Sequence, residues 1–189
     1  MFKPQLITLQ RGALRIEPML DADIPALVTL AEANRQELIY MSGTQRLDWY
    51  RLALSEQRED RALPFVIRLG DQVVGTTRFA DFMPTLPAVE IGWTWLDTGQ
   101  HGTGLNSMIK YLMLRHAFES WQMVRVQLKT AGSNLRSQRA IEKLGAVREG
   151  LLRNHRRLAD GRLDDTVLYS ITDQEWPQIK ANLEAGFVS

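Results

Sequence analysis

The run Val89 to Leu96 has the composition of a strand. It leads through Asp97-Thr98-Gly99-Gln100-His101-Gly102-Thr103-Gly104 into a run with helical spacing that opens at Leu105. Glycine lets a backbone take conformations that a side chain would forbid and approach another group closely, and here three glycines fall within six residues. A loop that leaves the carboxyl end of a strand and opens a helix aims several backbone N–H groups at one place, where the helix dipole also favours negative charge. The stretch therefore reads as a phosphate cradle, or more plainly as a tight turn that starts a helix.

Two phosphate-binding patterns fail on spelling. Gly99 and Gly104 have the separation of a P-loop, but Leu105-Asn106 follows where nucleotide hydrolysis needs lysine and then serine or threonine. Gly102-Thr103-Gly104 opens like a dinucleotide fingerprint, but its third glycine position is Ser107, and no acidic residue closes the next strand to hold a ribose.

The rest of the chain sets the frame of this loop. Leu14 to Glu17 alternates as a strand, Pro18 ends it, and Asp21 stands as an N-cap for the helical run Ile24, Leu27, Val28, Leu30, Ala31. A second helix is predicted over Leu47 to Gln57. Phe65 to Leu69, the turn pair Gly70-Asp71 and Val73 to Phe79 read as a hairpin. After the glycine loop, Leu105, Met108, Ile109, Leu112 and His116 recur at helical spacing as far as Glu119. Met123 to Thr130 alternates, with Val124, Val126 and Leu128 on one face and Arg125, Gln127 and Lys129 on the other. Asn134 caps a helix to about Leu144, where Gly145 suits a left-handed terminus. A last hairpin, Val147 to Leu158 and Asp164 to Ile171, turns at Asp160-Gly161, and Thr172 to Glu175 fits a capping box for a helix carrying Trp176.

This order predicts an α+β chain of one domain, 1–189, with a mixed, mostly antiparallel sheet of about seven strands and helices on both faces. The strands ending at Leu96 and Thr130 are joined by a helix and should be parallel. On Val89 to Leu96, alternation puts Glu90, Gly92 and Thr94 on one face and Ile91, Trp93 and Trp95 on the other. A bulge would shift that parity.

Composition narrows the chemistry. The 189 residues carry 23 lysines and arginines against 22 acidic residues, so no global field argues for nucleic acid or an anionic membrane. No signal-peptide pattern or membrane-length apolar run is present, and a cytoplasmic location is expected. With no cysteine, thiolate metal sites and cysteine acyl-enzymes are out, and His101, His116 and His155 lack the spacing of a metal site.

Against this background the loop resembles the pyrophosphate loop of the GCN5-related N-acetyltransferases, Q/R-x-x-G-x-G/A at a helix start, with Gly102 and Gly104 matching and Gly99 in place of glutamine or arginine. Nearly the whole chain is similar to the RimJ/RimL branch of that family. Leu14-Arg15-Ile16-Glu17-Pro18 with Asp21 resembles its opening strand, and Glu90 to Leu96 its fourth strand. Asn134-Leu135-Arg136-Ser137, Glu142-Lys143-Leu144-Gly145-Ala146 and Glu149-Gly150-Leu151-Leu152-Arg153 resemble its N-x-x-S, E-K-x-G-F and E-G-x-x-R series.

The resemblance implies acetyl-CoA as co-substrate and no metal. It implies a cofactor site made of Trp95, Leu96, Thr98, Gly99, Gln100, His101, Gly102, Thr103, Gly104, Leu105, Asn106, Asn134 and Lys143, with the pantetheine arm lying between two splayed strands. Direct attack by a primary amine is then the expected chemistry, with Glu90 as general base and Ser137 protonating the thiolate. The acceptor is a protein N-terminal α-amine or a small-molecule amine. A free α-amine, with a pKa of about 7.7 to 8.0, is far more often neutral near pH 7 than a lysine at about 10.4. Members of the branch that modify ribosomal proteins carry a glutamate where this chain has Arg156. A non-catalytic acyl-CoA sensor of the same fold is the alternative, and relatives of the branch are often homodimers.

Overall fold

The computed structural model describes residues 3–187. Its framework is one eight-stranded sheet of β1 (Leu9–Arg11), β2 (Leu14–Pro18), β3 (Ala62–Leu69), β4 (Gln72–Ala80), β5 (Ala88–Leu96), β6 (Arg125–Ala131), β7 (Val147–Arg157) and β8 (Leu163–Thr172). They lie in the order β1-β2-β3-β4-β5-β6-β8-β7. Neighbours are antiparallel except β5 and β6. That pair is joined through α3 (Leu105–Arg115), the kind of crossover a parallel pair needs. The sequence predicts the four central strands and both hairpins. It misses β1, whose three residues are too few to show a period.

Helices cover both faces. On one, α3 packs with α4 (Leu135–Lys143) and α5 (Trp176–Gly186). Ile109, Leu112, Met113, Ile141 and Ile179 join Val89, Ile91, Val126, Leu128 and Tyr169 in one core. On the other, α1 (Ile24–Ala33) and α2 (Leu47–Arg58) bring Leu27, Ala31, Tyr50 and Leu54 onto Val66 and Trp95. Burying each large apolar side chain stabilises the fold by about 1.5–3 kcal/mol, and truncating Leu112 to alanine should cost about 2–5 kcal/mol.

Local chemistry sets the ends of these elements. Asp21 to Asp23 form a short 3-10 turn, and Asp23, not Asp21, reaches back to accept from the Leu20 N–H at 2.8 Å. The helix predicted to reach Glu119 is α-helical to Arg115 and continues as a π-turn over His116–Ser120. Gly145 sits just past α4 at φ +96°, where Cβ would meet Ile179 at 2.9 Å. Glu175 accepts from both the backbone N–H and the hydroxyl of Thr172, so the predicted capping box forms only its glutamate half.

Candidate active site

The parallel pair comes apart where the chemistry was expected. β5 and β6 are in register at Ala88 with Arg125, Val89 with Val126 and Glu90 with Gln127. Beyond Glu90, β5 stays with β4 alone, while β6 continues on β8 as far as Ala131. Backbone groups of β5 that would have faced β6 are thereby freed along one wall of a gap.

A bulge lies on that wall. Gly92 opposes Arg78 and Trp95 opposes Thr76, so Trp93 and Thr94 together face Thr77, and Trp93 takes φ +49°. The extra residue corrects the simple alternation expected for β5. Ile91 belongs to the α3-side core and Trp95 to the α2-side core, so they lie on opposite faces. Trp93 also lies on the α2 side, over the Arg78 guanidinium at 4.6 Å. Thr94 swaps to the α3 side, where it meets Lys110. The partner strand needs a glycine here, because a side chain at Gly75 would run into the Trp95 carbonyl oxygen.

The glycine loop stands at the mouth of the gap. Gly102 and Gly104 have φ of +77° and +84°, with open space where a Cβ would sit, and Gly104, the N-cap of α3, has no side chain to offer its N–H groups. Left-handed backbone favours glycine at both. Gly99 is different: it lies in a 3-10 turn over Thr98–Gln100 without positive φ, so its conformation does not demand glycine. Thr103 bridges the loop, accepting from Leu105 N–H at 3.3 Å and donating to the Gln100 carbonyl at 2.9 Å. Buried Asn34, at the end of α1, anchors its start by accepting from Thr98 N–H at 2.8 Å and donating to Asp97 at 2.9 Å. Nothing in the sequence marks Asn34, because its partners are sixty residues away.

The opposite wall ends at α4. Asn134 accepts from Ser137 N–H at 3.1 Å as the expected N-cap, and Ser137 is half-buried beside it. Arg136 lies 3.3 Å from His101 Nδ1, tying the start of α4 to the glycine loop, and bonds Glu37 at 2.8 Å. Leu96, Thr98, Gln100, Leu105 and Asn106 thus lie with the three glycines around one mouth. Two expected residues are placed otherwise: the Trp95 side chain is core, and exposed Lys143 lies in the last turn of α4, about 13 Å of helix from Asn134.

At the base of the gap Glu90 is 4% exposed. Its Oε2 pairs with Lys129 Nζ at 2.6 Å and accepts from Gln127 Nε2 at 3.4 Å; Lys129 also reaches Asp81 at 3.2 Å. Its Oε1 lies over Gly92, where a Cβ would come within 2.8 Å. Burial pushes the Glu90 carboxyl above its usual range, against the opposing pull of Lys129. Burial also works against the Lys129 ammonium, but its carboxylate partners outweigh that and hold it above its ordinary value. On the same side, Arg78 is stacked between Trp49 at 5.0 Å and Trp93, and is bonded to Glu56 at 3.1 Å. Arg156, where ribosomal-protein enzymes were expected to have glutamate, donates to Thr166 Oγ1 at 3.0 Å, and its pKa is lowered by burial. The acceptor region expected around 35–51 is mostly turns up to Arg46, and these reach the turn between β7 and β8: Ala159 N–H donates to the Ile39 carbonyl at 2.9 Å.

Sequence reasoning missed Asp81, Arg78 and Lys110, and it gave Lys129 no role at the carboxylate. Lys129 was visible on the polar face of its strand beside Arg125 and Gln127, and Lys110 as a cation within an otherwise apolar helical run.

The profile of the acetyltransferase (GNAT) domain matches residues 13–147. The chain belongs to the GNAT acetyltransferase family. It is 35% identical to a T. thermophilus protein assigned as an acetyltransferase, with a TM-score of 0.83 and 98% of each chain covered. Mycobacterium smegmatis RimJ, solved in complex with CoA-disulfide, is 25% identical, with a TM-score of 0.81 over 96% of this chain and 93% of its own. The ribosomal-protein-serine acetyltransferase of Escherichia coli K12 is 27% identical over 139 residues, 67% of this chain and 76% of that protein. The chain is thus an N-acetyltransferase related to ribosomal-protein acetyltransferases. No helix among the described residues is long and apolar enough to cross a membrane, and none of their acidic and histidine side chains cluster as a metal site would.

Proposed function

We propose that the enzyme transfers the acetyl group of acetyl-CoA to a primary amine by direct attack, with the thioester held between β5 and β6. The observation that carries this reading is the coincidence of three features: the ladder between the two strands ends at Glu90, two left-handed glycines open α3 at the other end of the gap, and Glu90 is buried at its base. The N–H groups around Gly102 and Gly104 suit a pyrophosphate, and the freed backbone of β5 suits the amides of the pantetheine arm. A resident co-substrate of that kind is in keeping with the CoA seen in the RimJ complex.

The acceptor approaches on the α2 side. A neutral amine attacks the thioester carbonyl carbon, and Glu90, directly or through a water, takes its proton as the carbon–nitrogen bond forms. A carboxyl raised by burial is tuned in the direction a general base needs near neutral pH. The carbon–sulfur bond breaks and the thiolate needs a proton, for which Ser137 is the candidate the family resemblance supplies. The acceptor is a protein N-terminal α-amine or a small amine, the former favoured by its larger neutral fraction.

The test is thiol release from acetyl-CoA against a panel of N-terminal peptides, lysine-containing peptides blocked at the N-terminus, and small primary amines. The reading expects amine-dependent thiol release and an acetylated amine of matching mass. Saturable acetyl-CoA binding with no release for any amine would instead favour the non-catalytic sensor.

A further inference from the structure

α3, packed on the sheet beside the freed half of β5, holds a group that the reaction so far leaves unused. Ile109-Lys110-Tyr111-Leu112-Met113-Leu114 is buried throughout, and Lys110 itself is 6% exposed. Its one hydrogen bond among the described residues is from Nζ to Thr94 Oγ1 at 2.7 Å, and no described carboxylate lies within ion-pair distance. Thr94 Oγ1 is in turn 2.7 Å from Thr77 Oγ1, which lies 3.5 Å from Met113 Sδ. These are the polar groups facing Lys110 from β5, β4 and α3, and the one charge that acts on it is that of Glu90. Burial holds its pKa down to about 7.

An ammonium has three donors, and a buried one without an anion costs several kcal/mol. Chains keep such groups mainly where a ligand or reaction meets them. Its partner Thr94 places it against β5. It lies on the bulged half of β5 that β6 has left, two residues from Leu96, where the chain turns into the glycine loop, and two from Gly92, over which Glu90 Oε1 lies. An arm running from loop to base along β5 spans roughly four or five strand residues, and it passes Thr94 just before it reaches Glu90.

Resting on the reading that the gap holds the acetyl thioester of CoA, we infer that Lys110 donates the proton to the leaving thiolate. The amine nitrogen bonds to the carbonyl carbon and gives its proton to Glu90. The carbon–sulfur bond breaks with its electron pair passing to sulfur, and a proton moves from Lys110 Nζ to that sulfur. Thiol and amide leave, Glu90 loses its proton to solvent and Lys110 regains one. Lys110 takes the part that the resemblance gives to Ser137. A donor titrating near 7 is well matched to a thiol of about 8.5, whereas a serine hydroxyl is a far weaker acid.

Single-turnover thiol release at saturating acetyl-CoA and amine, followed from neutral to alkaline pH for the wild type, Lys110→Met and Lys110→Arg, decides this. Lys110→Met should lose about 100-fold or more in rate, in the range of general-acid catalysis, while its calorimetric affinity for acetyl-CoA stays within a few-fold of wild type. Wild-type rate should fall as pH rises past the titration of Lys110, and Lys110→Arg should lack that fall. Lys110→Met at near wild-type rate, or a wild type whose rate does not fall with rising pH, would overturn the assignment, and the second result needs no variant to fold. A wild type that binds no acetyl-CoA would instead overturn the reading of the gap itself.

Discussion

The two sides of the gap solve the same electrostatic problem differently. On the α2 side, Glu90 is buried but compensated: Lys129, Gln127 and, through Lys129, Asp81 form a connected polar cluster around it. On the α3 side, Lys110 is as deeply buried and has only a threonine hydroxyl. A compensated charge can be held by the fold for its own sake; an uncompensated one destabilises the fold and points to a ligand. On the proposed reading, the contrast separates a base that the protein tunes from an acid that waits for its substrate.

The largest effect expected outside Lys110 itself comes from removing the base. Glu90→Gln should lower turnover by about 10²- to 10⁴-fold with acetyl-CoA affinity retained, and unchanged turnover across pH would take Glu90 out of the mechanism.

Lys110→Met sharpens the other side through stability. The native pKa of Lys110 lies near 7, below its unfolded value, so between the two the unfolded chain binds more protons and wild-type stability rises with pH. Lys110→Met should lack that slope and be more stable than wild type at neutral pH by on the order of a few kcal/mol. Denaturant unfolding at neutral and alkaline pH would measure it, and equal or lower stability for the variant at neutral pH would mean the ammonium is better compensated than its contacts indicate.

A smaller change, Gly92→Ala, places a methyl against Glu90 Oε1. The carboxylate can swing away, so folding should survive while turnover falls by about tenfold, as expected for a misplaced catalytic group. A loss of folding with no selective loss of turnover would count against the placement of Glu90. The mildest is Lys129→Met. Without the charge that opposes its burial, Glu90 should titrate higher, moving the acid limb of the rate profile to higher pH. An unmoved limb would show that Glu90 does not control it.

How much of this was legible in the sequence depended on the range of the interaction. Periodicity gave the helices, the hairpins and the parallel pair, and the spelling of Gly102 and Gly104 gave the loop. The bulge at Trp93 and Thr94 was not legible, because it comes from pairing with β4, and it turned the expected faces of Thr94 and the tryptophans. Lys129 meets Glu90 and Asp81 across roughly forty to fifty residues of chain, and Asn34 holds a loop more than sixty away; no local pattern carries such pairings. Lys110 was the intermediate case: a lysine inside an apolar helix signals burial, but only the fold shows that its single partner lies on the wall of the gap.

Calorimetric titration of the purified protein with acetyl-CoA, with ATP and NAD in parallel, tests the central claim most directly. Saturable one-to-one binding of acetyl-CoA alone is the result expected of a gap that opens beneath Gly102 and Gly104. Absence of acetyl-CoA binding, or equal binding of ATP or NAD, would contradict it.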